Sequence, residues 1–215
     1  MLTRSDAEEN LRIIRSLMEK ATIYRAISAP TALIGGLASI AVTIAFPSQF
    51  SSGFGSVEHA RIVFLVSWLG VLIITATANT WLLWRDARRR GDIFLSAGMR
   101  AAVRAFSPSY LAAGVFTVLF ARSPELLPPS WMLFYGIGLL ATQHFAPRSI
   151  TLLGWAFLIA GLLLKVCGCP ALAGDTEPIR HANLAMGATF GLFHLIYAGL
   201  AWPREKAPPL AAEGV

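Results

Sequence analysis

The chain has 215 residues, 55% of them hydrophobic and only 14% charged, with a net charge of +6. A water-soluble domain carries about 25% charged residues, so the composition excludes an ordinary soluble fold and places most of the chain in lipid. No nucleic-acid motif accompanies the positive charge, which reads instead as the basic side of a membrane protein.

Residues 1–26 form a separate element. Ser5 and Glu8 make an S-x-x-E capping box, which predicts a helix start. Leu11, Ile14, Met18 and Ala21 recur at helical spacing as one apolar stripe. Glu8–Arg12 and Arg15–Glu19 are i,i+4 pairs on the polar side. The stripe is short for a coiled coil. Such an amphipathic helix either lies on the inner leaflet or the bundle, or docks a protein partner or a second copy of the chain. Its mixed charge lacks the layout of a cleavable signal peptide, so the first apolar run is expected to remain as an anchor. Neither end carries a lipidation motif.

Six apolar stretches follow, at residues 27–46, 62–84, 106–121, 131–146, 150–166 and 184–202. Each approaches the ~20 residues that cross a hydrocarbon core, though the third and fourth are short and would borrow flanking residues or thin the bilayer. Continuous apolar runs point to helices rather than the alternating strands of a barrel. The expected fold is therefore all-α: a six-transmembrane-helix bundle over 27–202, a cytoplasmic amphipathic helix before it, and a disordered Pro/Ala tail at 203–215. Outer connectors are expected at 47–60, at the proline-rich turn 122–130 and at 167–183.

The basic residues alternate between gaps. Arg4, Arg12, Arg15, Lys20 and Arg25 precede the first span. Arg85, Arg88, Arg89, Arg90, Arg100 and Arg104 separate the second from the third, Arg148 precedes the fifth, and Arg204 and Lys206 follow the sixth. The other gaps hold only Arg61, Arg122, Lys165 and Arg180. This is the positive-inside pattern, and it implies a multi-pass protein of a bacterial inner membrane with both termini cytoplasmic. A weak repeat accompanies it. Arg25-Ala26-Ile27-Ser28-Ala29-Pro30 enters span 1 and Arg104-Ala105-Phe106-Ser107-Pro108 enters span 3, each followed by small residues. Either a two-helix hairpin was duplicated or both spans enter the membrane in the same way, with proline near a helix start where it is tolerated.

Span 6 carries the leading polar candidate. Gly187 and Gly191 form G-x-x-x-G, and His194 and Tyr197 follow close to the same helix face. An ionisable residue at membrane depth points either to a functional site or to a neutral histidine bonded across the bundle. A second polar group comprises Thr75, Asn79 and Thr80 of span 2, Thr142, Gln143 and His144 of span 4, and Ser107, Ser109 and Tyr110 of span 3. These line a cytoplasm-facing pocket or simply join helices. His144 and His194 together raise the question of a haem. Measured from Pro147 and Pro203 their depths differ by roughly 9 Å at 1.5 Å per residue, which is unfavourable for two axial ligands unless the helices tilt. Cys167 and Cys169, with His181 in the same outer gap, are weak metal candidates, and their spacing matches no zinc-ribbon or redox motif. No P-loop, H-E-x-x-H, G-x-S-x-G or C-x-x-C-H occurs. No carboxylate lies inside a span, which weighs against a proton-coupled pump.

Three short words occur in a fixed order: Leu11-Arg12-Ile13-Ile14-Arg15-Ser16-Leu17-Met18 before span 1, Met132-Leu133-Phe134-Tyr135-Gly136 in span 4, and Phe190-Gly191-Leu192-Phe193-His194-Leu195-Ile196-Tyr197-Ala198 in span 6. In these the chain resembles a family of small uncharacterised bacterial six-span membrane proteins, whose F-G-x-x-H-x-x-Y-G it matches with Ala198 in the final place. The resemblance directs attention to His194 and Tyr197 and brings no activity with it. The reading leans away from catalysis. It favours a sensor, regulatory or accessory subunit acting through the basic cytoplasmic face. A small-solute carrier or channel using spans 2, 4 and 6 is the second reading, and a haem- or metal-binding redox subunit the third.

Overall fold

A computed structural model describes residues 8–14, 28–46, 56–91, 94, 97–144, 146–167 and 177–206. Among the described residues every regular element is helical. Residues 8–14 form part of a helix with Leu11, Ile13 and Ile14 exposed, while Ser5, Met18 and Ala21 lie outside the described residues; of the tail expected at 203–215, residues 203–206 continue the last helix and 207–215 lie outside the described residues. The remaining helices are α1 (Ala29–Ala45), α2 (Val57–Arg90), α3 (Ala97–Leu119), α4 (Leu127–Ala141), α5 (Arg148–Cys167), α6 (Glu177–Met186) and α7 (Leu192–Lys206). A 3₁₀ turn, Pro124–Leu126, leads into α4, and a π turn, Gly187–Gly191, joins α6 to α7 in one rod.

Four runs are long and apolar enough to cross a membrane: Val57–Arg89, Met99–Leu119, Arg148–Val166 and Pro178–Trp202. Helix α1 is a shorter apolar helix of 17 residues, and α4 has 15. Large apolar side chains point outward as they do in a lipid-facing bundle. Leu111, Val115, Val118 and Leu119 of α3, and Leu152, Ile159, Leu163 and Val166 of α5, are exposed. The composition and this outward apolar surface define a helical protein of the membrane.

Helix ends follow local chemistry. Ser28 caps α1 by accepting from the Thr31 amide, and Pro30 falls in the first turn, where its missing N–H costs nothing. Ser56 caps α2 in the same way, and Gly91 closes it at φ 70°, a left-handed conformation that glycine takes without a Cβ clash. Pro108 is placed otherwise. It was expected near a helix start but sits inside α3, which begins at Ala97. Proline cannot donate to the carbonyl four residues back, and the Ser107 hydroxyl donates to that Arg104 carbonyl at 3.2 Å. The two repeat words therefore serve different local structures. Their glycines differ too, since a Cβ on Gly36 would meet Leu195 at 2.8 Å whereas one on Gly114 would meet nothing within 4 Å.

All three outer connectors are shorter than expected, the first because α2 already begins at Val57. Helix α4 already begins at Leu127, with Pro128 and Pro129 in its first turn. At its other end it stops at Ala141, and Thr142 turns its hydroxyl onto the Leu139 carbonyl at 2.7 Å. Thr142, Gln143 and His144 consequently form a turn and are not the inner end of the helix. Helix α6 occupies what was expected to be outer loop up to residue 183.

The helices pack in a definite order. Helix α1 lies between α2 and the α6–π–α7 rod, the rod also touches α4 and α5, and α4 packs on α3 and α5. Helices α4 and α5 approach closely because Gly136 and Gly154 present no side chains; a Cβ on Gly136 would lie 2.8 Å from the Gly154 carbonyl. Phe64 of α2 stacks on Trp131 of α4, with planes 4° apart, and ties the N-terminal part of α2 to the same core. Phe64, Phe157, Leu127, Met132, Leu139 and Ile150 are its largest fully buried apolar side chains.

Candidate functional site

His194 is buried, and both of its ring nitrogens are engaged. Nδ1 lies 2.8 Å from the Phe190 carbonyl and Nε2 lies 2.9 Å from the Tyr135 hydroxyl. A carbonyl only accepts, so Nδ1 carries a proton. In the neutral ring Nε2 is then the acceptor and the Tyr135 hydroxyl the donor. The bond joins α4 to α7 in the middle of the bundle.

Aromatic rings close around this couple. Phe157 of α5 has its ring centroid 5.4 Å from that of His194, and Phe190 lies nearly parallel to the imidazole at 6.1 Å and 17°. Tyr135 meets Phe157 edge-on at 4.8 Å and Phe106 of α3 at 6.1 Å. Such contacts each add about 0.5–1.5 kcal/mol beyond burial and keep water from the hydrogen bond. Rings from α3, α5 and the π turn thus surround a phenol–imidazole pair shared by α4 and α7.

The π turn explains how His194 reaches α4. Gly187 and Gly191 press on α1: a Cβ on Gly187 would overlap Thr43, and one on Gly191 would lie 2.6 Å from the Ile40 side chain. On an uninterrupted α-helix His194 would face the same way. The wider π turn, a feature common at functional positions, alters the phase, so the glycines face α1 while His194 faces α4. The expectation that all three share one face is corrected in that respect.

Of the other polar candidates, Asn79, Gln143 and His144 are placed apart from His194. Asn79 accepts from the Thr31 hydroxyl at 3.1 Å and joins α2 to α1. Gln143 and His144 are exposed in the turn after α4. Tyr197 is buried one turn beyond His194, and the side chain that His194 bonds is that of Tyr135. Tyr135 belongs to the span 4 word, and the sequence signal for its role is a phenol at mid-span in a helix otherwise without ionisable groups. Asn183, expected in a loop, is 1% exposed and bridges three helices. It accepts from the Trp68 indole at 3.1 Å and donates to the Thr43 carbonyl at 3.2 Å. Pro178 at the start of α6 was the sequence signal for that helix. Trp131 similarly donates to Thr117 at 2.7 Å and links α4 to α3.

A haem does not fit His194 in this arrangement, since Nε2 is on Tyr135 and the ring lies among Phe157 and Phe190. Of the weak metal candidates, Cys169 lies outside the described residues, Cys167 ends α5 and His181 is on α6. Among the described residues no group of three or more His, Cys, Asp or Glu side chains converges. Comparison with known proteins found no matching family model, no matching curated protein and no matching solved structure.

Proposed function

We propose that this is a multi-pass protein of a bacterial inner membrane that serves as a sensor, regulatory or accessory subunit, working through a basic cytoplasmic face rather than by catalysis or transport. It crosses the bilayer six times, with both termini cytoplasmic. Helices α1 and α4 are the short spans, accommodated by local thinning of the bilayer. The alternation of basic gaps supports this orientation.

One observation carries the functional reading. Several interior polar side chains are paired across helices: Tyr135 with His194, Thr31 with Asn79, Trp68 with Asn183 and Trp131 with Thr117, while the buried Thr75 hydroxyl has no partner. A carrier keeps such groups along a wet path, whereas here phenyl rings surround the central pair. The charged groups lie outside this interior, and Arg88, Arg89, Arg100, Arg104 and Arg148 are exposed. The words that carry the family resemblance support the same view, because the tyrosine of one bonds the histidine of the other. They act as a structural clasp that sets the helices beneath the working surface.

Copurification in a mild detergent tests the proposal. A polypeptide partner or a second copy should remain bound and dissociate when the exposed arginines are replaced. A lone monomer that moves a small solute into proteoliposomes would overturn it.

A further inference from the structure

Helix α2 carries a stripe whose chemistry changes along its length. Its 34 residues extend about 51 Å at 1.5 Å per residue, well beyond a ~30 Å hydrocarbon core. Ile74, Ala78, Trp81, Arg85 and Arg88 succeed one another at i+3 or i+4 and so share one side of the helix. The apolar part of that side is concave. Ile73, Ile74, Thr77, Ala78 and Trp81 line an open groove of about 440 Å³, its hollow made by the small side chains of Thr77 and Ala78. Ile73, Ile74 and Trp81 are exposed there.

Beyond the groove stand two arginines set on tryptophans. The Arg85 guanidinium lies 5.0 Å from the centre of the Trp81 ring, and that of Arg88 lies 4.5 Å from the Trp84 ring. Tryptophan favours the headgroup level of a bilayer, and its face holds a guanidinium by cation–π attraction. The two guanidiniums are about one helical turn apart. Arg85 Nε is buried and without a hydrogen-bond partner, while Arg88 is exposed. Arginine forks match phosphate oxygens with paired hydrogen bonds.

We propose that this stripe is a binding site for one anionic phospholipid, with the phosphate at Arg85 and Arg88 and an acyl chain in the groove beside Trp81. Apolar groove, aromatic girdle and cations follow in the order in which tail, ester region and phosphate follow in a lipid. The charge complements an acidic headgroup, and a zwitterionic lipid supplies less of it. The site stands on α2 alone and does not depend on what the subunit regulates.

Native mass spectrometry of the full chain, released from mild detergent with phosphatidylglycerol or phosphatidylcholine, tests the site. Phosphatidylglycerol should be retained in preference. Affinity should fall about fivefold for each arginine replaced in R85Q and R88Q. Arg148→Gln, an exposed basic residue on α5, should change it little. Thr77→Trp fills the groove from an exposed position and should weaken phosphatidylglycerol retention with all charges intact. Glycerol phosphate should fail to compete at equal concentration. Equal retention of both lipids would overturn the proposal, as would unchanged binding in R88Q or Thr77→Trp, or full competition by glycerol phosphate. A chain that retains phosphatidylglycerol selectively but carries no partner would sink the regulatory reading and leave the lipid site standing.

Discussion

The hydrogen bond between Tyr135 and His194 joins α4 to α7 within a ring of aromatic side chains. Removing the phenol oxygen leaves Nε2 without a donor in an aromatic enclosure, where no water replaces it. Tyr135→Phe should destabilise the protein by about 1 kcal/mol, within the range of interhelical hydrogen bonds in membranes. Combined with His194→Phe, a double-mutant cycle by denaturation in detergent should show coupling of similar size. Strictly additive losses would mean that the bond does not form. His194 was legible as a buried interhelical residue because an ionisable group at mid-span must find a partner. Which partner it finds was not legible, since Tyr135 is distant in sequence and the pairing depends on how α4 and α7 meet. Asn79 illustrates the same limit. Its polarity marked it for attention, but its bond to Thr31 makes it a link between α1 and α2, apart from the His194 pair.

Among the elements, the α6–π–α7 rod does most to arrange the bundle. Its glycines admit α1, and the π turn between them redirects His194. Gly191→Leu would drive a side chain into Ile40 and should cost about 1–3 kcal/mol through overpacking, read as a lower melting temperature in detergent. Gly114→Leu, on the open side of α3, should leave that temperature nearly unchanged; equal damage from both would refute the assigned packing. The G-x-x-x-G spacing announced close approach, and close approach is found. Helix bounds were less readable. Apolar runs mark the lipid-buried part of a helix, whereas backbone hydrogen bonding carries α2 through charged residues to Arg90 and α3 back to Ala97. Proline acts by position, starting α1 and α4 but lying inside α3, where Ser107 takes over the Arg104 carbonyl.

For the whole molecule, the proposed orientation makes a direct prediction. With Cys167 and Cys169 replaced by serine, a cysteine at Glu125 should react with an impermeant maleimide from outside intact cells. One at Arg89 should react only after the membrane is opened. Both positions are exposed, so the reverse pattern would invert the topology and equal labelling would refute the span count between them. The sequence by itself determined that the chain is helical and built for lipid, because hydrophobic run length and scarcity of charge are local quantities that the bilayer reads directly. It also marked His194 and the small residues around it. Only the tertiary structure decided that α1 lies between α2 and the α6–π–α7 rod, that Tyr135 is the partner of His194, and that Asn183 bridges three helices. Those outcomes depend on crossing points and rotational phase, to which residues far apart in the chain contribute jointly.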